Sequence, residues 1–110
     1  MRKFIMGGGR AVRDLHNPET DRLFEAILRL KNMDECYDFF EDLCTVKELR
    51  DLSQRLEVAV LLSEGNSYQS VAKKAEVSSV TISRVNRCLL YGSGGYRKAI
   101  EQMGGEEKAE

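Results

Sequence analysis

The chain has 110 residues, 42% of them hydrophobic and 32% charged, with a formal net charge of -1. That size and composition fit one small domain and exclude a low-complexity or fibrous chain, and no apolar stretch reaches the length of a membrane span. Three cysteines (Cys36, Cys44, Cys88) without a CxxC pair, beside a single His16, exclude a disulfide framework and a zinc set, so buried, reduced thiols of a cytoplasmic protein are expected.

Charge is partitioned along the chain. Residues 1–13 carry four bases and no acid, residues 14–66 six bases and 13 acids, residues 67–100 six bases and one acid (Glu76), and residues 101–110 one base and four acids. The start, MRKFIMGGGRAVRD, has too short an apolar run for a signal peptide and reads as a flexible basic leader over 1–18, either an arm that follows DNA or, the favoured reading, an inert segment. A helical domain is expected over 19–103 and a disordered acidic tail over 104–110.

Within the domain the apolar spacing is helical throughout, and no alternating run argues for strands. Leu23, Phe24, Ile27, Leu28 and Leu30 mark a first helix after Pro18, ending near Asn32. Asn32 with Glu35 has the spacing of a capping box and opens a second helix bearing Cys36, Tyr37, Phe39, Phe40 and Leu43. Thr45 with Glu48 has the same spacing and opens the longest helix, which Gly65-Asn66 should stop near Glu64. Leu49, Leu52, Leu56, Ala59 and Val60 form its expected core stripe. Val58, Leu61 and Leu62 widen that stripe beyond the needs of one small core, a surplus that suggests a partner subunit.

Residues 68–87, YQSVAKKAEVSSVTISRVNR, have the spacing of a helix-turn-helix. Val71, Ala75, Val77, Ile82 and Val85 sit at the buried offsets, Ala72 is the small residue where the backbones approach, and Ser67 and either Ser78 or Ser79 can cap the two helices. At 100° per residue, Ile82, Val85 and Leu89 fall on one side of the second helix, and Val80, Ser83, Arg84 and Arg87 on the other. The outward set suits a DNA groove: Arg84 and Arg87 for phosphate, Ser79, Thr81 and Ser83 for phosphate or base edges, and Val80 for a thymine methyl. Gln69, Lys73 and Ser78 complete the expected contact set. A plain helical hairpin needs only the same periodicity, but the near absence of acids over 67–100 argues for double-stranded DNA as partner. Glu76 stands where such turns commonly have glycine, so the turn must either accept a positive φ there or take another geometry. Gly92, Gly94 and Gly95 then break the chain, and Tyr96 to Met103 can form a final short helix.

LFEAILRLKNMDECYDFFEDLCTVKELRDLSQRLEVAVLLSEG, the helix-turn-helix and the TISRVNRCLLYGSGGY run together resemble the Trp repressor superfamily, and more closely its YerC/YecD-like branch, over about residues 20 to 103. The resemblance implies an all-α fold in which the N-terminal helices of two subunits interlock as an intertwined homodimer. It also implies a cytoplasmic bacterial regulator, expected to be a repressor, reading a palindromic operator with half-sites about one helical turn apart. It further implies a small-molecule corepressor pocket at Thr45, Arg55, Arg84, Val85 and Cys88. Val85 replaces a glycine and Cys88 a serine of that pocket, adding volume where an indole would lie and weakening a hydrogen-bond acceptor. Tryptophan is therefore not the expected effector, and Arg55 could instead pair with a carboxylate such as Asp51.

No phosphate-cradling glycine motif, metal cluster or placed Cys/His pair supports catalysis, and no cofactor is expected. The rival reading is a protein-interaction adaptor that uses the apolar N-terminal helices without binding an operator.

Overall fold

A computed structural model describes residues 16–108, with side chains described through residue 104. The described residues form six α-helices and no strand: α1 (Pro18–Leu28), α2 (Met33–Leu43), α3 (Val46–Ser63), α4 (Tyr68–Ala75), α5 (Ser79–Tyr91) and α6 (Gly95–Lys108). The chain divides into two compact units, Met1–Thr45 and Val46–Glu110. The expected basic leader lies outside the described residues, apart from its last three positions.

In the first unit, α1 begins with Asn17 as N-cap, whose Oδ1 accepts from Thr20 N at 2.8 Å, and with Pro18 in the first turn, where a missing N–H costs nothing. It ends at Leu28, a few residues short of the expected stop. Asn32 caps α2 through its Oδ1, which accepts from Glu35 N at 2.9 Å. The reciprocal half of the box is displaced by one residue: Glu35 Oε1 accepts from Lys31 N, also at 2.9 Å, where Asn32 N was expected. Neither helix buries a residue fully, and Phe24, Leu28, Met33, Tyr37 and Leu43 are exposed.

The second unit holds the core. Val58, Ala59 and Leu61 of α3, Val71 of α4, and Ile82 and Val85 of α5 are buried together, with Leu62, Ala72, Ala75, Val77, Tyr96 and Ile100 packed around them. The expected α3 stripe is therefore only partly correct. Ala59 is in the core, but Leu52 and Leu56 are exposed, and the neighbours read as surplus, Val58 and Leu61, are the ones that meet α4 and α5. The difference arises because the residues of α3 that are fully buried against α4 and α5 all come from its C-terminal half. Its end is a Schellman motif: Asn66 N donates to Leu61 O (3.2 Å) and Gly65 N to Leu62 O (3.0 Å), with Gly65 at φ +93°.

The final helix runs past its expected end. It continues through Gly104 to Lys108, five residues beyond Met103, so the backbone of 104–108 is helical where a disordered tail was expected. Each glycine there lowers helix propensity by about 1 kcal/mol without removing a backbone donor, so the hydrogen-bond ladder can carry through both. The thiols also differ from expectation: all three cysteines are free, but Cys36 and Cys44 are only half-buried and Cys88 is exposed.

Candidate nucleic-acid interface and adjoining cleft

The helix-turn-helix forms from its local signals. Ser67 caps α4, its Oγ accepting from Ser70 N at 3.1 Å, and Ser78 rather than Ser79 caps α5, its Oγ accepting from Thr81 N at 3.3 Å. Between them Glu76 adopts the left-handed conformation (φ 56°, ψ 51°), so the turn keeps the geometry that glycine usually supplies. Side chains of ordinary residues make that conformation cost about 1 kcal/mol or more. Burial of Ile82 and Val85 on one side of α5 leaves the opposite side outward.

Each expected contact residue can be placed on that surface. Gln69 and Lys73 are exposed on α4; Ser78 is exposed at the cap of α5; Ser79 and Val80 are exposed in its first turn. Ser83, Arg84 and Arg87 are exposed further along α5, whereas Thr81 is half-buried, with its hydroxyl 3.4 Å from that of Ser78. Among the described residues Arg84 and Arg87 have no ion-pair partner, so their charge is available to a ligand. The N-terminus of α5, with its unsatisfied amides, adds a further preference for anions at the same end.

Adjoining this surface, and sharing Thr81 and Arg84 with it, is an open-sided cleft of about 490 Å³, lined by Lys47, Asp51, Gln54 and Arg55 of α3, Thr81, Arg84, Val85 and Cys88 of α5, and Tyr96 of α6. It gathers four of the five residues expected at an effector pocket. Thr45, the fifth, belongs to the first unit, and the cleft is lined wholly from the second. Arg55 does not pair with Asp51, which instead meets Lys47 (Nζ to Oδ2, 2.9 Å), and Arg55 has no ion pair among the described residues. The lining thus carries three cations and one carboxylate already engaged. Burial raises the Tyr96 phenol above its ordinary pKa of 10.0; the Arg55 charge works against that shift, and Cys88 adds to it. Tyr96 escaped the sequence reading because the glycine run separates it from α5, and no local spacing relates it to α3.

A two-helix reading unit, capped and packed on a longer helix with an unpaired basic face outward, defines a helix-turn-helix protein of the all-α class. Comparison with known proteins agrees and is more specific. The Trp repressor protein family matches residues 18–104. The uncharacterized protein YerC of Bacillus subtilis (strain 168) is 49% identical over 89 residues, covering 81% of this chain and 86% of that protein. Among solved structures, a TrpR-like protein from Eubacterium eligens ATCC 27750 is 51% identical with a TM-score of 0.80, covering 82% of this chain and 93% of that one. A candidate Trp repressor from Staphylococcus aureus is 44% identical, also with a TM-score of 0.80, covering 82% and 90%. The chain belongs to the Trp repressor family, in its YerC-like branch, and so to a family of DNA-binding regulators. Among the described residues no helix is long and apolar enough to cross a membrane.

Proposed function

We propose that the protein is a sequence-specific transcriptional regulator, acting as a repressor, that reads a palindromic operator as a homodimer. The carrying observation is the outward face of α5, where Val80, Ser83, Arg84 and Arg87 stand exposed while Ile82 and Val85 anchor the helix to the core. Such a face offers phosphate ligands that position the helix and short or apolar groups that read base edges. Gln69, Lys73, Ser78, Ser79 and Thr81 complete the contact surface.

Dimerisation is supported by the exposed apolar residues of α1, α2 and the first half of α3, among them Leu28 and Val46. A second copy covers them in this reading. In the adaptor reading a different polypeptide does so, and the exposed residues by themselves serve either one. The effector, if the cleft takes one, is not tryptophan: Val85 is buried in the cleft floor beside Cys88, where volume and a strong acceptor would both be needed.

The test is capture of genomic DNA fragments by the purified protein, sequenced after washes at low and high salt, with and without tryptophan. Enrichment of a palindrome, lost in the double variant Arg84→Ala/Arg87→Ala while the oligomer persists, is expected. Binding should weaken steeply with salt, since each phosphate contact releases counterions. Affinity retained in the double variant would remove α5 from the interface, and no enrichment under any condition would favour the adaptor.

A further inference from the structure

Tyr96 is the second residue of α6, yet it forms a wall of the cleft between α3 and α5 and packs against the buried cluster that joins those helices. Its position follows from a short connection. α5 ends at Tyr91, and only Gly92, Ser93 and Gly94 separate it from α6. A Cβ on Gly92 would lie 2.4 Å from the Cys88 carbonyl oxygen, so the backbone passes against the end of α5 where only glycine fits. Gly94 turns the chain at φ +91°, a conformation that disfavours side chains. Arg97 then locks the first turn of α6 to α5, its Nε donating to Leu89 O at 2.9 Å. These three constraints deliver the Tyr96 ring into one place, in the cleft that Arg55 of α3 and Arg84 and Cys88 of α5 also line.

The consequence concerns the outward face of α5. Arg84 and Val85 are adjacent in sequence, one exposed and one buried in the core beside the same cleft. A partly buried side chain at that cleft, packed on the cluster that joins α3 and α5, is placed to act on the roll and tilt of α5, and with them on where Arg84 and Arg87 point. We propose that Tyr96 is a positioning residue for DNA recognition, a built-in brace through which α6 holds the reading helix against α3. This rests on the DNA-binding reading above. The ring, more than the hydroxyl, does the bracing, because no hydrogen bond of the Tyr96 hydroxyl occurs among the described residues while its packing against the core is direct.

The experiment compares Tyr96→Ala, Tyr96→Phe and a control, Ile100→Ala, in the full chain. Ile100 also lies on α6 and packs on the core, but it does not line the cleft. Each is measured for affinity to a duplex fragment captured by the wild type, for salt dependence, and for hydrogen exchange of the α5 amides. At a temperature where all are folded, Tyr96→Ala should bind about tenfold more weakly, equivalent to about 1.4 kcal/mol, with α5 exchanging faster. Tyr96→Phe should restore both properties, and Ile100→Ala should leave both near wild type. Unchanged binding and exchange in Tyr96→Ala, or equal losses in Ile100→Ala, would overturn the brace. If the wild type binds no duplex, the DNA reading fails by itself, and α5 exchange alone decides the brace: selective loss of protection in Tyr96→Ala supports it, and equal protection in the two alanine variants refutes it.

Discussion

The Asn66 carboxamide and the Lys74 ammonium lie 3.0 Å apart, and that contact ties the end of α3 to the last turn of α4. The same oxygen accepts from Ser70 Oγ at 3.2 Å, while Nδ2 donates to the Leu61 carbonyl at 2.9 Å. One residue therefore closes the Schellman motif through its backbone N–H and, through its side chain, ties that end of α3 to the first helix of the reading unit. Asn66→Ala should remove all three bonds and cost about 1 to 2 kcal/mol. A thermal melt followed by circular dichroism should show a midpoint lower by roughly 5 °C or more. Asn66→Asp retains the acceptor but not the donor and should fall between the two. A midpoint for Asn66→Ala equal to wild type would mean that the backbone bonds of the motif suffice.

Glu76 combines an unfavourable conformation with an unfavourable charge. It is the one non-glycine residue at positive φ among the described residues, and the one acid between residues 67 and 100. Glu76→Gly should relieve the conformational strain, about 1 kcal/mol or more, against a smaller cost from the greater entropy glycine gives the unfolded chain, and raise the melting midpoint by a few degrees. Glu76→Gln keeps the strain and removes the charge, so its midpoint should stay near wild type. Both should bind duplex DNA more tightly at low salt, with the advantage shrinking as salt screens the missing repulsion. A lower midpoint for Glu76→Gly would show that the turn gains something from the glutamate side chain that offsets its backbone cost.

Local signals made most of the second unit legible. Ser67 and Ser78 cap their helices at the expected places, Gly65-Asn66 stops α3, and Ile82 and Val85 are buried while Arg84 and Arg87 are not. Each of these depends on residues within one or two turns of each other, where periodicity and capping chemistry act. What escaped depends on distant contacts. Val58 and Leu61 outrank Leu52 and Leu56 in the core because α4 and α5 pack on one half of α3, a fact that spacing along α3 does not contain. Tyr96 enters the cleft through a glycine turn whose direction is set by the Cys88 carbonyl and by Arg97, and Asp51 is taken by Lys47 one turn earlier, leaving Arg55 unpaired.

Leu56 offers the sharpest test of the assembly. Within the single chain it is 38% exposed and Leu52 is 42% exposed, so neither holds the core of the second unit together. Because Leu56 is still more than a third exposed in the single chain, an aspartate there should cost an isolated chain about 1 to 2 kcal/mol of lost apolar burial. Buried against a second subunit without a partner, the same carboxylate would cost several kcal/mol. Leu56→Asp should therefore convert a dimer into a monomer, seen by sedimentation equilibrium, while much of the helical circular dichroism persists at low temperature. The wild type should show a melting midpoint that rises with protein concentration, as for any subunit stabilised by its partner, and the variant should lose that dependence. A variant that remains dimeric and fully stable would place the subunit contact elsewhere. A wild type that is monomeric at every concentration would leave the exposed leucines to another polypeptide, as the adaptor reading requires.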